Sequence, residues 1–393
     1  MITLSRDGTP RGDAPPRVTT VAGIAEAGPH AWGRLAAGAG LYQSYEWLHW
    51  TETFTTAAVR YVLAYDDAGE LVGATPTYLL TRPPDRFTTW YDPIRLFLAP
   101  HGPTAGADAR WYPLLLVGSV SGYHSEFLVR PGGDRRAVTE ALVRGSLAVA
   151  AEAGARSVAM LYAPSATARE SGPAFGGVTV PTSAEAVITL PAGGGAFDDY
   201  LARFPSARRS KLRKEAVAFA RAAGEVARYS LGEVAHRVGP LLGRLQRRYG
   251  DPVRDAEMTA YLAGQAEFLD ERSLVFAAES GGRLTGFTLC YVHDDTLYVR
   301  AAGFDEEAAL PFGYFNLSVY APVRHALAHG LTEVDLGTGA YQGKTLRGAE
   351  IRPLWSLVRP PGESPAAWHE ALRRPAPEAR EAGWPEAHET ETA

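Results

Sequence analysis

Lys344 lies near the end of the stretch Asp335-Leu-Gly-Thr-Gly-Ala-Tyr-Gln-Gly-Lys-Thr-Leu-Arg-Gly348, and it is one of only three lysines in a chain with 39 basic residues, the rest arginine. A chain so rich in Ala, Gly and Arg uses arginine wherever charge alone matters, so a lysine retained in a glycine-rich loop points to a site that needs a compact ammonium. Glycines at 337, 339, 343 and 348 allow close backbone approach and surround Tyr341, Lys344 and Arg347. A loop of this kind at the C-terminal end of a strand is where open α/β sheets bind ligands. It is not a phosphate-binding P-loop, because the spacing Gly-x4-Gly-Lys-Ser/Thr is not met, although Gly339 and Gly343-Lys344-Thr345 come near it. A plain turn with a lysine reaching for solvent is the structural alternative.

The other two lysines fall in Ser206-Ala-Arg-Arg-Ser-Lys-Leu-Arg-Lys-Glu215, where five of the seven residues from 208 to 214 are basic: Arg208, Arg209, Lys211, Arg213 and Lys214. Leu212, Ala216, Phe219, Ala220 and Ala223 follow helical spacing, with Ser206 as N-cap and Gly224 as stop. One face of this helix must pack and the other present cations. A solvated charged face would also read this way, yet the run is not interleaved with carboxylates. An anion such as a nucleotide or an RNA backbone is the sharper explanation.

Thr296-Leu-Tyr-Val-Arg-Ala-Ala-Gly303 reads as a strand on which Tyr298 and Arg300 share a face. With Phe312-Gly-Tyr-Phe-Asn316, which supplies Tyr314 and Asn316, it could line a pocket whose opposite wall carries Tyr123 and His124. No His, Asp and Glu cluster has metal-ligand spacing, and no Gly-x-Ser-x-Gly nucleophile elbow occurs. The single cysteine, Cys290, lies in an apolar run and reads as a small buried hydrophobe.

Two similar runs of elements must position these residues. Val62-Leu-Ala-Tyr through Gly-Glu-Leu-Val-Gly73 matches in pattern Val275-Phe-Ala-Ala through Gly-Arg-Leu-Thr-Gly286, each a hairpin around a polar glycine-containing turn. Each is followed by a helix ending in glycine and a short apolar strand: 137–153, Gly154 and 158–162, then 317–329, Gly330 and 334–336. Pro322 either starts or kinks the second helix. The order strand-strand-strand-helix-strand therefore occurs twice, an α/β (α+β) arrangement of mixed twisted sheets flanked by helices.

Composition bounds the rest. With 393 residues, 46% of them hydrophobic, the chain can bury two domain cores. No apolar run approaches the roughly 18 residues of a membrane helix, and no signal pattern opens the chain, so a cytoplasmic protein without an integral membrane segment is expected. A net charge of −5 argues against a protein that coats nucleic acid indiscriminately, and DNA is not an expected partner. Residues 1–20 and 359–393 read as disordered leader and tail, 21–180 as the first domain, and 181–358 as the second, with a helical insertion over 196–270.

The tandem halves, the aromatic Gln43-Ser-Tyr-Glu-Trp47, the basic helix and the Tyr341-x-x-Lys344 ending together resemble the double-GNAT acyltransferases. The chain is most similar to the Fem-type peptidoglycan aminoacyltransferases and their relatives in natural-product pathways. The resemblance spans about residues 40–358. It implies two tandem GNAT-like domains and the joining of an amine to an acyl carbon taken from acyl-CoA or aminoacyl-tRNA. It also implies that Lys344 places the reacting carbonyl and neutralises the tetrahedral intermediate, a role in which a cation contributes on the order of 3 kcal/mol. Asp335 and Tyr341 are the nearby candidates for proton transfer, although an amine already neutral needs no strong base.

One departure bears on the donor. CoA-dependent GNATs carry Arg/Gln-x-x-Gly-x-Gly/Ala after the central strand, whereas Gly303-Phe-Asp-Glu-Glu-Ala-Ala-Leu-Pro-Phe-Gly313 has three acidic residues and no such glycine pair. The expected function is an N-acyltransferase with no bound cofactor, taking its acyl group from aminoacyl-tRNA in preference to acyl-CoA and passing it to a small-molecule or cell-wall-precursor amine, with an acyl-CoA-dependent N-acetyltransferase as the first alternative. A non-catalytic module that recognises such a precursor is the rival reading.

Overall fold

The computed structural model describes residues 15–84, 86–102, 104–223, 225–308 and 310–383. Residues 1–14 of the expected leader, Gly224 as helix stop and residues 384–393 of the expected tail lie outside the described residues.

Among the described residues thirteen strands form one sheet: β1 Arg17–Val21, β2 Ala58–Tyr65, β3 Leu71–Leu80, β4 Leu114–Val117, β5 Leu128–Val129, β6 Ser157–Pro164, β7 Val178–Thr189, β8 Ala227–Tyr229, β9 Ser273–Ser280, β10 Arg283–His293, β11 Thr296–Phe304, β12 Glu333–Asp335 and β13 Glu350–Arg359. Their order is β1-β2-β3-β4-β6-β13-β7-β12-β11-β10-β9-β8, with β5 beside β3. The duplicated pattern is visible in the pairing. The β2–β3 hairpin adds β4 antiparallel, and the helix Arg135–Glu152 crosses over to β6, parallel to β4. The β9–β10 hairpin adds β11, and the helix Ala321–His329 crosses over to β12, parallel to β11.

Local chemistry explains these boundaries. Asp134 caps the first crossover helix by accepting from Ala137 N at 3.0 Å, and both crossover helices are followed by left-handed glycines, Gly154 at φ 65° and Gly330 at φ 72°. Pro322 lies inside a continuous helical run, directly after the π-helical segment Asn316–Tyr320, whose wider turn accommodates the proline's missing N–H and its ring.

The two halves exchange their last strands. β7, which ends the first half, pairs antiparallel with β12, while β13, which ends the second, pairs with both β6 and β7. The boundary expected at 180/181 therefore falls inside β7, and neither half closes its sheet without the other. The seam is packed with aromatics. Ser44 caps the helix Tyr45–Phe54, whose Trp47 meets Tyr291 of β10 edge to face at 6.1 Å, while Trp50 meets Tyr261 at 5.2 Å. Each such ring buries enough surface for about 4–6 kcal/mol of gross hydrophobic transfer.

Three sequence expectations change. Residues 196–270 are not one helical insertion: β8 within them pairs with β9 and forms the edge of the second half's own sheet, next to the helices Leu231–Arg248 and Asp255–Leu269. The segment expected as tail carries helices Ala366–Leu372 and Pro377–Glu381, whose Trp368, Leu372, Ala376 and Ala379 are buried. Few but well-spaced apolar residues anchor it. Residues 17–20, expected within the leader, belong to β1, paired with β2. Among the described residues no helix is long and apolar enough to cross a membrane.

Candidate active site

A cleft of about 310 Å³ opens where the halves meet. Tyr42, Trp90 and Tyr123 come to it from the first half, Tyr261, Arg300 and Tyr314 from the second, and Leu336, Gly337, Thr338 and Lys344 from the glycine-rich loop. Sequence reasoning placed Tyr298 and Arg300 on one strand face by simple alternation. The ladder breaks that rule: Leu289 pairs with Ala301 and Cys290 with Val299, leaving Arg300 as the extra residue of a β-bulge. Arg300 lines the cleft; Tyr298 instead packs edge to face against Tyr42 at 5.8 Å and contributes to the wall from behind.

Lys344 lies in the short helix Tyr341–Thr345 and is only 2% exposed. Its Nζ donates to the carbonyl oxygens of Leu336 at 2.8 Å, Gly337 at 3.0 Å and Thr338 at 2.7 Å. All three N–H bonds are thus spent on the end of β12 and its loop. The ammonium fixes the main chain and places a positive charge in the cleft wall. Burial lowers its pKa to about 8 against the pull of Asp335 and Glu378, so it is largely charged at neutral pH. Ala340, immediately before this helix, holds φ 51°, a left-handed strain of about 1 kcal/mol that keeps the loop tight.

Asp335 is buried beside this lysine and accepts from Gly337 N at 2.8 Å. Desolvation, reinforced by Glu185, raises its pKa to about 7 despite Gly337, His124 and Lys344. His124 Nδ1 lies 3.5 Å from Glu185 and its Nε2 3.7 Å from Glu126. Burial alone would depress its pKa, but donation from the ring to the Glu185 carboxylate and the charges of both glutamates lift it to about 9. The loop of the first half, β7 and β12 therefore converge on a largely half-buried chain of titratable groups behind Lys344. Among the described residues no three His, Cys, Asp or Glu side chains converge as metal ligands.

Three expected site residues brace the surrounding backbone rather than face the cleft, two of them at the loop itself. The Tyr341 hydroxyl donates to Ala184 O at 3.0 Å, accepts from Ala184 N at 3.2 Å and meets Ser183 Oγ at 3.1 Å, tying the loop to β7. Arg347 is buried against Glu215 and Tyr320, with its guanidinium 3.2 Å over the Phe315 ring. Asn316 Nδ2 donates to Phe312 O at 3.0 Å. Glycine-rich spacing shows that a loop is tight, not which of its side chains turn outward.

The FemAB-like family, described as one of peptidoglycan biosynthesis and recognition, matches residues 23–363. The chain belongs to that family. No curated protein sequence matches it. Its fold is similar to that of FemX, at 12% identity and a TM-score of 0.52, covering 81% of this chain and 92% of that one. A conserved protein of unknown function from Bacteroides thetaiotaomicron is similar at 9% identity and a TM-score of 0.54, covering 87% and 100%. A tandem GNAT protein from the clavulanic acid pathway covers 89% and 100% at 15% identity, with a TM-score of 0.47. Membership of the FemAB-like family places the chain among the acyltransferases.

In this FemAB-like chain the basic helix runs from Ser206 to Ala223, with Ser206 as its first helical residue and Pro205 rather than Ser206 accepting the first backbone bond, from Arg209 N. Arg213 is committed to Asp198 at 2.8 Å, whereas Arg208, Arg209, Lys211 and Lys214 have no carboxylate partner among the described residues. A surface depression joins Arg208 and Lys211 to Thr345 and Leu346, so the cationic face is continuous with the loop that holds Lys344. Sequence reasoning missed Tyr42, Tyr261, Glu185 and Glu378. Tyr42 adjoins the aromatic Gln43-Ser-Tyr-Glu-Trp47 motif, which was a usable signal; Glu378, whose pKa burial raises against the opposing pull of Ser183, Thr338 and Tyr341, is one acid in an acid-rich terminus and gave none.

Proposed function

We propose that the protein is an N-acyltransferase of peptidoglycan-related or natural-product chemistry, moving an aminoacyl group from aminoacyl-tRNA to the amine of a small or cell-wall-precursor acceptor. The observation that carries this reading is the continuity of the basic helix with the Lys344 loop. A polyanion lying on Arg208 and Lys211 has its end within reach of the cleft. In the reaction the acceptor nitrogen attacks the ester carbonyl, a C–N bond forms, the C–O ester bond breaks, and the proton shed by the amine goes to the departing ribose hydroxyl. The Lys344 charge favours the tetrahedral oxyanion through the loop it organises, and the aromatic walls hold the amine at attack distance. Asp335, poised between its two protonation states near neutral pH, is the candidate proton reservoir behind it.

Two features support a donor other than acyl-CoA. In the second half Asp305 is paired with Arg283 at 2.8 Å and Glu306 with Arg248, so the arginines nearest the loop where a pyrophosphate would sit are already engaged by its acids. In the first half the crossover helix presents the Asp134 carboxylate at its N-terminus, where it takes the Ala137 amide and sets a negative charge against an incoming phosphate. Charged tRNA implies a cytoplasmic reaction. Incubation with mixed radiolabelled aminoacyl-tRNAs and an amine pool tests the proposal; label released only as free amino acid, or transferred only from acetyl-CoA, overturns it.

A further inference from the structure

Arg300 is a cation without a counter-ion. As the extra residue of the β11 bulge it leaves the regular alternation of the strand and enters the cleft wall beside Tyr42, Tyr123 and Tyr261. Bulges recur where a side chain must be re-aimed near a site. Its guanidinium lies 5.6 Å over the Trp47 ring, which sets its plane. No carboxylate among the described residues pairs with it, and its Nε is shut off from solvent without a hydrogen-bond partner. The polar groups that share its wall are the neutral phenols of Tyr42, Tyr123 and Tyr261. Half-burying an arginine among tyrosines with nothing to neutralise it carries a desolvation cost in the empty protein, and a bound anion offsets that cost.

We propose that Arg300 and its surrounding tyrosines form the binding site for a substrate carboxylate, so that the acceptor is a small amine bearing an acid group, an amino acid or short peptide. This deepens the transferase reading and rests on it. The acceptor's carboxylate is held by Arg300, and its amine is directed along the cleft toward Lys344. A carboxylate fits better than a phosphate ester: among the described residues the cleft wall holds only one other cation, Lys344, and its three N–H bonds are already engaged. The planar fork of a single guanidinium matches a carboxylate, and phenolic hydroxyls can donate to its outer lone pairs. A volume of about 310 Å³ has room for an amino acid or dipeptide between aromatic walls.

The test is fluorescence titration of the full chain with three probes of one shape, benzoate, benzamide and phenyl phosphate, using the Trp47 beneath Arg300 as reporter. Benzoate should bind at least 10-fold tighter than benzamide. In Arg300→Met that preference should vanish, while Arg300→Lys, which keeps the charge, should retain most of it. Equal binding of benzoate and benzamide to the unaltered protein overturns the proposal, as does a benzoate preference that survives Arg300→Met. Phenyl phosphate binding 10-fold tighter than benzoate reassigns the site to phosphate esters and equally overturns it. If Arg300→Met does not fold, the acid-against-amide comparison in the unaltered protein decides. No acyl donor is needed, so failure here leaves the transferase reading standing, and absence of transfer leaves the anion site standing.

Discussion

The guanidinium of Arg347 lies 2.5 Å from the carboxylate of Glu215, with both side chains buried and Tyr320 donating its hydroxyl to the same carboxylate at 2.5 Å. This pair rivets the basic helix to the Lys344 loop, since Arg347 also donates to Gly343 O at 2.8 Å. Removing one member strands the other's charge. Glu215→Ala or Arg347→Met should cost about 3–5 kcal/mol of unfolding free energy, whereas a joint replacement by apolar residues should cost much less. Urea denaturation of the two single variants and the double variant measures the difference.

Arg208 and Lys211 flank the depression that reaches Thr345. Replacing both with alanine should weaken tRNA binding across all tRNA species and reduce the slope of log affinity against log salt by about 1.5–2. Arg213, already paired with Asp198, should matter less. Filter binding over a salt series checks both statements; an unchanged slope removes the helix from the RNA interface.

His124 gives stability a pH signature. Its pKa rises from 6.5 unfolded to about 9 folded, so its contribution is fully present below pH 6.5 and fades as pH climbs through 9. The contribution is at most about 3 kcal/mol. The stability difference between the unaltered protein and His124→Asn should therefore shrink between pH 6.5 and 9, read by thermal melts across that range. Asp335 acts over a lower window, pH 3.8 to about 7, with the same sign.

Gly122, at φ +84°, leaves no room for a side chain: a Cβ there would overlap the Tyr42 ring. Gly122→Ala should push Tyr42 into the cleft and cost about 1–3 kcal/mol in stability. A rise in acceptor KM larger than the loss of kcat would locate the damage in acceptor binding, as steady-state kinetics can show.

How far the sequence reveals this site depends on the kind of signal. The hairpins, the crossover helices and their glycine stops follow from periodicity and turn chemistry, which are local, and the structure reproduces them. The exchange of β7 and β13 between halves is set by long-range pairing and leaves no local mark. Lys344 stood out because its residue type is rare in this chain, yet its commitment to three carbonyls depends on how residues 336–338 turn. Arg300 was legible as a candidate, but not its bulge, because one unpaired residue in a ladder depends on the partner strand. Glu378 was hidden by its surroundings, a terminus whose composition suggests solvent although Ala376 and Ala379 anchor it.

Transfer of radiolabel from aminoacyl-tRNA to an amine by the unaltered protein and by Lys344→Met is the most direct measurement of the central claim. Lys344 is 2% exposed and holds three carbonyls, so the variant should lose about 2–4 kcal/mol of stability and must first be shown folded by circular dichroism. The folded variant should transfer on the order of 100-fold or more slowly. It should also lose the decline in rate that the unaltered protein shows as pH rises past about 8, where Lys344 gives up its proton. Transfer by the folded variant at the unaltered rate, with the same alkaline decline, would contradict the account.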